Sequence, residues 1–262
     1  MPNPQARDYW DQWNLDRVRD GLVRERLGLC HAVLNELHAL DLAADSRLLE
    51  VACGAGWVGE RLFRAFHYLG LDRSEPAITA ARARAPGARF ESADFRTWNP
   101  PEEPFDAVIC VDAIAYFDDQ ASVIGKFANI LRPAGWLLIT TVNPFCYSRM
   151  RKIGPPAPGQ VRLWLTRRVL HQLLKRSGFL IRKSMTVLPA GDMGVLRWVN
   201  SRKLNNAAAY LLRESTIVRL KELLGLGQFR IVVAQLCPNR GRARAASCMG
   251  ACPAAPNTPD LQ

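Results

Sequence analysis

Short apolar runs alternate along this chain with stretches whose apolar residues recur every three or four positions. The runs "RLLEVA", "HYLGLD", "ARFESA", "FDAVICVDA" and "GWLLITTV" read as strands, while "GWVGERLFRAF", "SEPAITAARARA" and "QASVIGKFANIL" between them read as helices. Upstream, Val18, Leu22, Leu29, Val33, Leu37 and Leu40 keep a helical period that predicts a helix over residues 15–40. Downstream, "LTRRVLHQLLKRSGF" predicts an amphipathic helix, and "LIRKSMTVL" and "QFRIVVAQL" predict two more strands. Ser74 is placed to cap the helix that follows it, and Gly135 follows a proline that stops the helix before it. Strands separated by helices imply crossover connections, hence a parallel sheet with helices on both faces. The expected fold is α/β: a Rossmann-like, doubly wound, mostly parallel seven-stranded sheet.

The same pattern divides the chain. Residues 1–44 form an N-terminal helical cap, and residues 45–190 with 227–237 form the core. Residues 191–226 are helical by spacing and too long for a turn, so they read as an insertion or lid before the last strand. Residues 238–262, rich in Pro, Ala and Gly, read as a disordered tail.

Composition narrows the class. With 262 residues, 48% of them hydrophobic and 23% charged, the chain can bury a large core. Its first twenty residues, "MPNPQARDYWDQWNLDRVRD", lack the apolar stretch of a signal peptide, and no run approaches the roughly 18 apolar residues of a membrane span, so a cytoplasmic protein is expected. Of the seven cysteines, Cys30, Cys53, Cys110 and Cys146 are scattered, and Cys248 and Cys252 have no second pair; no metal is assigned. Charge is distributed unevenly: residues 1–148 carry 15 Lys/Arg against 20 Asp/Glu, a net −5, whereas residues 149–262 carry 20 against 4, a net +16. The basic half is expected to face something anionic.

The stretch "LLEVACGAGWVGERL" carries the chemistry. Gly54, Gly56 and Gly59 have the G-x-G-x-x-G spacing of a dinucleotide loop, but that fold has no reason to place an acid such as Glu50 in the preceding buried strand. Read from that acid, "E-V-A-C-G-A-G" resembles the first motif of class I S-adenosylmethionine-dependent methyltransferases. The resemblance implies S-adenosyl-L-methionine as cofactor, with Glu50 near its ammonium and small residues at Ala52, Gly54 and Gly56 letting backbone approach the ligand. Ala52 stands where the family has its first glycine and fits if its φ is negative. Gly59 then belongs to the next helix by coincidence.

Further stations of the resemblance follow in order. "YLGLDRS" places Asp72, with Arg73 beside it, where the family holds both ribose hydroxyls. "FESADF" gives Asp94 for the adenine amine and Phe95 as the neighbouring ring, and "FDAVICVDAIAYFDD" puts Val111 and Asp112 at a strand end beside the methionyl part. "LRPAGWLLITTVN" resembles the fifth-strand turn, with Ala134 for a glycine, and with the helix "L-x-x-L-L-x-x-x-G-F" is most similar to ubiquinone-biosynthesis-type small-molecule O-methyltransferases. That branch often carries a Glu-His pair where this chain has Ala115 and Tyr116, so no histidine base carries over and Tyr116 is the catalytic candidate. His31, His38, His67 and His171 read as structural.

The function so implied is methyl transfer to a small, acidic or lipid-like acceptor by in-line displacement, O-methylation being favoured. An ionised acceptor needs no base, because the sulfonium is already a good leaving group. Tyr9, Trp10 and Trp13 in "DYWDQWN" are candidates to close over the site. Asn143, Arg149, Arg197, Arg202 and Lys203 are candidates for an acceptor wall. "VLRWVNSRKLNNAAAYLLRESTIVRLKELL" has the make-up of an interfacial helix, which allows peripheral membrane contact and a quinone or lipid acceptor. RNA is the remaining alternative acceptor and is disfavoured, since the basic residues are not interleaved with a stacking platform of aromatics.

Overall fold

The structure, a computed structural model, describes residues 9–16, 23–158 and 160–238. Val18, Leu22 and all but the first residue of the tail expected over 238–262 lie outside them, as do Cys248 and Cys252. Residues 9–16 form helix α1. Then come α2 (Arg24–His38), β1 (Arg47–Val51), α3 (Gly59–Leu62), β2 (His67–Asp72), α4 (Glu75–Arg84), β3 (Arg89–Ser92) and β4 (Phe105–Cys110). A 3-10 turn at Ile114–Tyr116 leads to α5 (Gln120–Ile130), β5 (Leu131–Val142), α6 (Pro144–Tyr147), α7 (Arg167–Arg176) and β6 (Phe179–Pro189). The chain continues through α8 (Gly194–Val199), α9 (Arg202–Ala209), α10 (Glu214–Leu223) and β7 (Gly227–Leu236).

All seven expected strands form one sheet in the order β3-β2-β1-β4-β5-β7-β6. The first five are parallel to their neighbours, and β7 runs antiparallel to both β5 and β6. Strand order therefore reverses between β1 and β4, opening a crevice at their carboxyl ends, where ligands of such sheets bind.

Alternation along the strands makes two cores. Leu49 and Val51 of β1 face the layer of α5 and α7 with Phe127, Leu170 and Leu174, whereas Leu48 faces α2 and α4 with Leu29, Val33, Leu37 and Ile78. Ser74 caps its helix as expected, its Oγ accepting from Ala77 N–H on α4; the structure adds Asp119, which accepts from Ser122 N–H on α5, and Thr166, which accepts from Val169 N–H on α7.

Two expected elements are shorter than the pattern suggested. The helix read over 15–40 is described as α2, and "GWVGERLFRAF" keeps only the one turn of α3, because its first residues complete the glycine turn after β1. The segment 190–226 connects the antiparallel strands β6 and β7 and lies against β6, where Thr186 Oγ1 donates to Glu222 O and Leu188 N–H to Glu222 Oε1. Of its three helices only α8 contributes a buried side chain, Leu196.

Candidate active site

Period-two alternation puts Glu50 on the same face of β1 as Leu48, so a carboxyl sits in the core, 2% exposed. Tyr68 enters beside it from β2 and donates its hydroxyl to Glu50 Oε2 at 2.5 Å. Burial pushes the Glu50 carboxyl up to about 8; the Tyr68 bond opposes that rise, and the nearby charge of Asp72 adds to it. Gly59 makes this arrangement possible, since a Cβ there would strike the Tyr68 hydroxyl and ring. The third glycine of the spacing is therefore a packing requirement and not a coincidence of the helix.

The turn after β1 is left-handed at three positions: Ala52 at φ +58°, Gly54 at +53° and Gly56 at +74°. Ala52 thus does not have the negative φ that would suit it; it holds the family's glycine conformation at a cost of about 1–2 kcal/mol. Gly56 lets α4 close on the turn, because a Cβ would come within 2.9 Å of Ala81 Cβ. The turn is fastened to β2 by Asp72, whose Oδ2 accepts from Gly54 N–H at 2.8 Å and whose Oδ1 accepts from Ser74 N–H at 2.9 Å. Burial raises the Asp72 carboxyl, with both backbone bonds acting against it.

Glu50, Ala52, Gly54 and Asp72 border one cavity of about 330 Å³, which Arg73, Asp94, Val111 and Asp112 also line; Gly56, expected at the ligand, packs on α4 and does not line it. Asp94 is not a free acceptor. Arg96 binds it through Nε at 3.1 Å and through Nη2 at 2.6 Å, and although burial favours the neutral acid, those bonds hold its carboxyl below the usual range. Phe95 departs from expectation: it turns away from the cavity into the core, packing on Trp98 and Phe127, and Phe117 supplies a ring to the cavity instead.

At the end of β4, Asp112 sits at φ +51° and donates its N–H to Thr140 Oγ1 at 2.8 Å. Its buried carboxylate pairs with Arg26 of α2 and, among the described residues, has no hydrogen-bond donor beyond that pairing. Arg26 was not singled out from the sequence. It lines the cavity, forms the wall shared with a second cavity of about 470 Å³, and lies over the Phe229 ring at 5.3 Å. Two non-glycine residues in left-handed conformation, Ala52 and Asp112, therefore face the same space, where such strain is typically found at functional sites.

Helix α1 closes the opening. Trp10, Trp13 and Asn14 line the first cavity, and Tyr9 and Trp13 line the second. Trp10 meets the Tyr116 ring edge-on at 4.5 Å between centroids. Tyr116 does line the cavity, but burial raises its phenol above the ordinary range against the pull of Arg26, so it stays protonated near neutral pH.

The other acceptor candidates lie elsewhere. Asn143 is buried and caps α6, its amide donating to Gly225 O and Gly227 O at 2.8 Å each. Arg149 is half-buried, stacks on Phe145 at 4.2 Å and donates to Phe145 O. Arg197, Arg202 and Lys203 are exposed and line neither cavity, nor does any other residue of 191–226. From the basic half, Val161 reaches the first cavity, and residues between 152 and 162, with Gln228 and Phe229, border the second. A helical lid over the site is thus replaced by α1 on one side and a Pro/Gly-rich loop on the other.

A family model described as a methyltransferase domain matches residues 22–184. The chain belongs to that family. It is similar to trans-aconitate 2-methyltransferase of Methylobacterium nodulans, 31% identical over 133 residues that make up 48% of this chain and 51% of that protein. It is also similar to ubiquinone biosynthesis O-methyltransferase of a Bradyrhizobium species, 28% identical over 119 residues, 44% of this chain and 47% of that one. The chain spans about half the length of the curated relatives it matches. Among solved structures, magnesium protoporphyrin IX methyltransferase from Synechocystis PCC 6803 with bound SAH superposes with a TM-score of 0.62 at 18% identity, covering 88% of this chain and 97% of that one. An S-adenosylmethionine-dependent methyltransferase from Mesorhizobium loti gives 0.55 at 22% identity, covering 82% and 99%. These likenesses carry the fold, that of a class I S-adenosylmethionine-dependent methyltransferase.

The cavity of this methyltransferase suits that family's cofactor chemically. The ligand is a cation bearing a ribose diol and a flat base; the walls offer the carboxyl groups of Glu50 and Asp72, backbone opened by Gly54, and the rings of Trp10, Trp13, Trp57 and Phe117. The indole N–H of Trp57, buried and without a hydrogen-bond partner among the described residues, is a further donor at this wall.

Proposed function

We propose that this chain methylates an oxygen of a small acidic acceptor, using S-adenosylmethionine. When bound, that cofactor supplies a methyl group on a sulfonium leaving group. In this reading Glu50 receives the ligand's ammonium, Asp72 accepts from its ribose hydroxyls with the lone pairs left free by Gly54 and Ser74, and the paired Asp94 and Arg96 border the base beside Phe117. Val111 and Asp112 bound the methionyl end. Trp10, Trp13 and Asn14 exclude water from above.

The observation that carries the acceptor assignment is the wall shared by the two cavities at Trp13 and Arg26. Beyond it, Arg26, Lys152 and Arg162 face the second cavity against Glu25, the one acid that lines it among the described residues, which Lys152 already binds at 2.8 Å. An acceptor with a carboxylate would be held there by Arg26 and Arg162, with its reacting oxygen toward the first cavity. Tyr116, protonated at the wall, acts as a hydrogen-bond donor that orients that oxygen, and a carboxylate or phenolate needs no base. A relative named for trans-aconitate, itself a carboxylate, supports this acceptor class.

The test has two stages. Calorimetry should show binding of S-adenosylhomocysteine and none of NAD; the reverse result overturns the cofactor assignment. Release of S-adenosylhomocysteine should then be followed across a panel of carboxylic acids, phenols and neutral alcohols. Turnover confined to the alcohols would overturn the acidic acceptor.

A further inference from the structure

The segment from Gly194 to Leu224 has the composition of a buried segment and the exposure of a surface one. Trp198 is 76% exposed, Tyr210 91%, Leu211 87%, Leu223 84% and Leu224 75%, and Val195, Leu204, Leu212 and Leu220 are exposed as well. Neither α9 nor α10 buries a single side chain. Isolated exposed apolar residues are ordinary, but with Val218 there are ten within 31 residues of one chain segment, and that density marks a contact surface.

Charge selects the partner. The segment carries Arg197, Arg202, Lys203, Arg213, Arg219 and Lys221 against Glu214 and Glu222, a net +4. Five of these cations directly adjoin an exposed apolar residue: Arg197 by Trp198, Lys203 by Leu204, Arg213 by Leu212, and Arg219 and Lys221 on either side of Leu220. Glu222 is turned inward, held by Leu188 N–H. A second copy would have to set this basic face against itself, since a two-fold interface presents the same patch from both sides. A nucleic acid would leave the leucines uncovered. A bilayer with acidic headgroups satisfies both halves at once, the leucines and aromatic rings entering the headgroup boundary while the Arg and Lys heads remain at the phosphates.

We infer that α8–α10 of this methyltransferase dock on an anionic lipid surface, so that the enzyme works as a peripheral membrane protein. Among the described residues no helix is long and apolar enough to cross a membrane, so the contact is interfacial. The docking segment is also tied to the acceptor side of the site. Asp192 N–H and Met193 N–H donate to Arg149 O, and Asp192 Oδ1 accepts from Arg151 N–H at 2.9 Å, immediately before Lys152, where the loop begins to border the second cavity. A bilayer-held acceptor would enter along that loop.

The experiment is flotation of the full chain with phosphatidylcholine vesicles, with and without phosphatidylglycerol. The wild type should float with the acidic vesicles and not with the neutral ones. The double variant L211E/L223E, at two side chains that touch neither cavity, should lose at least about tenfold in vesicle binding, since each substitution removes apolar area and adds a negative charge that acidic headgroups repel, while S-adenosylhomocysteine affinity stays unchanged. Three results would overturn the inference: a wild type that floats with neither vesicle, a double variant that floats as well as wild type, or a dimer in sedimentation that L211E/L223E dissociates. Because cofactor binding is read separately, failure here leaves the methyltransferase assignment standing.

Discussion

The two cavities that meet at Arg26 are built from different material. The first cavity, the one proposed for the cofactor, is walled by neighbouring strand ends and the turns just after them: Glu50 from β1, Asp72 from β2, Val111 and Asp112 after β4. The second cavity is walled by α1, the start of α2 and the loop over residues 152–162, segments far apart in sequence. Glu50 of the first is held by Tyr68 from the neighbouring strand, and Asp72 by the adjacent backbone of Gly54 and Ser74. The cations of the second sit on mobile-length side chains paired across the chain, Lys152 with Glu25 and Arg26 with Asp112. A sheet edge thus makes a rigid site for an invariant ligand, whereas loops and caps make the surface on which the choice of acceptor can vary.

The sharpest test of that contrast is the joint itself. Arg26→Ala leaves the Asp112 carboxylate buried without its cation and is expected to lower unfolding free energy by about 3–5 kcal/mol, read by urea denaturation. Adding Asp112→Asn should restore much of that loss, because a neutral amide no longer requires the guanidinium. A small effect of Arg26→Ala would place the pair in solvent and separate the cavities.

Next in size is Asp72→Ala. It removes the acceptor of both Gly54 N–H and Ser74 N–H and the partner proposed for the ribose, so S-adenosylhomocysteine affinity should fall by about 2–3 kcal/mol in calorimetry. Unchanged affinity would remove the β2 end from the cofactor site.

Tyr68→Phe should cost about 1–2 kcal/mol and give a signature in pH. The Glu50 carboxyl is raised from 4.5 to about 8 in the folded protein, so folding favours its neutral form. Its stabilising contribution is complete below about pH 4.5 and is lost as pH rises through about 8. Glu50→Gln should flatten that decline in denaturation curves. Tyr68→Phe, which deletes the hydrogen bond favouring the carboxylate, should move it to higher pH. If the ligand's ammonium pairs with ionised Glu50, binding below about pH 8 releases a proton, which calorimetry in buffers of different ionisation enthalpy detects.

The smallest effect is expected at Arg197, Arg202 and Lys203. Reversing any one of these exposed charges should change stability and cofactor affinity by less than about 0.5 kcal/mol. A large loss of S-adenosylhomocysteine binding would mean that the basic half reaches the cofactor cavity after all.

Hydrophobic periodicity alone determined the seven strands and the helices between them, because burial on a sheet imposes period two and packing on a helix imposes a period near four. The order of acids at strand ends likewise located Glu50, Asp72, Val111 and Asp112 at one cavity, since strands that share a sheet bring their carboxyl ends together. Side-chain direction was not legible in this way. Phe95 and Asp94 are neighbours, yet one faces the core and the other the cavity, and the two were assigned to the same site. Ala52 and Gly59 were misread because φ and the path of the Tyr68 ring depend on what packs around the turn. Net charge identified a basic half but not where its residues point; Arg197, Arg202 and Lys203 face solvent while Arg26, from the acidic half, stands at the joint. Local pattern is set by the nearest few residues, whereas Arg26 and Asp112, 86 positions apart in the chain, meet only because α2 crosses the end of β4. The sequence determined the sheet and the acids on its edge; only the tertiary structure decided which cation faces them and what closes over them.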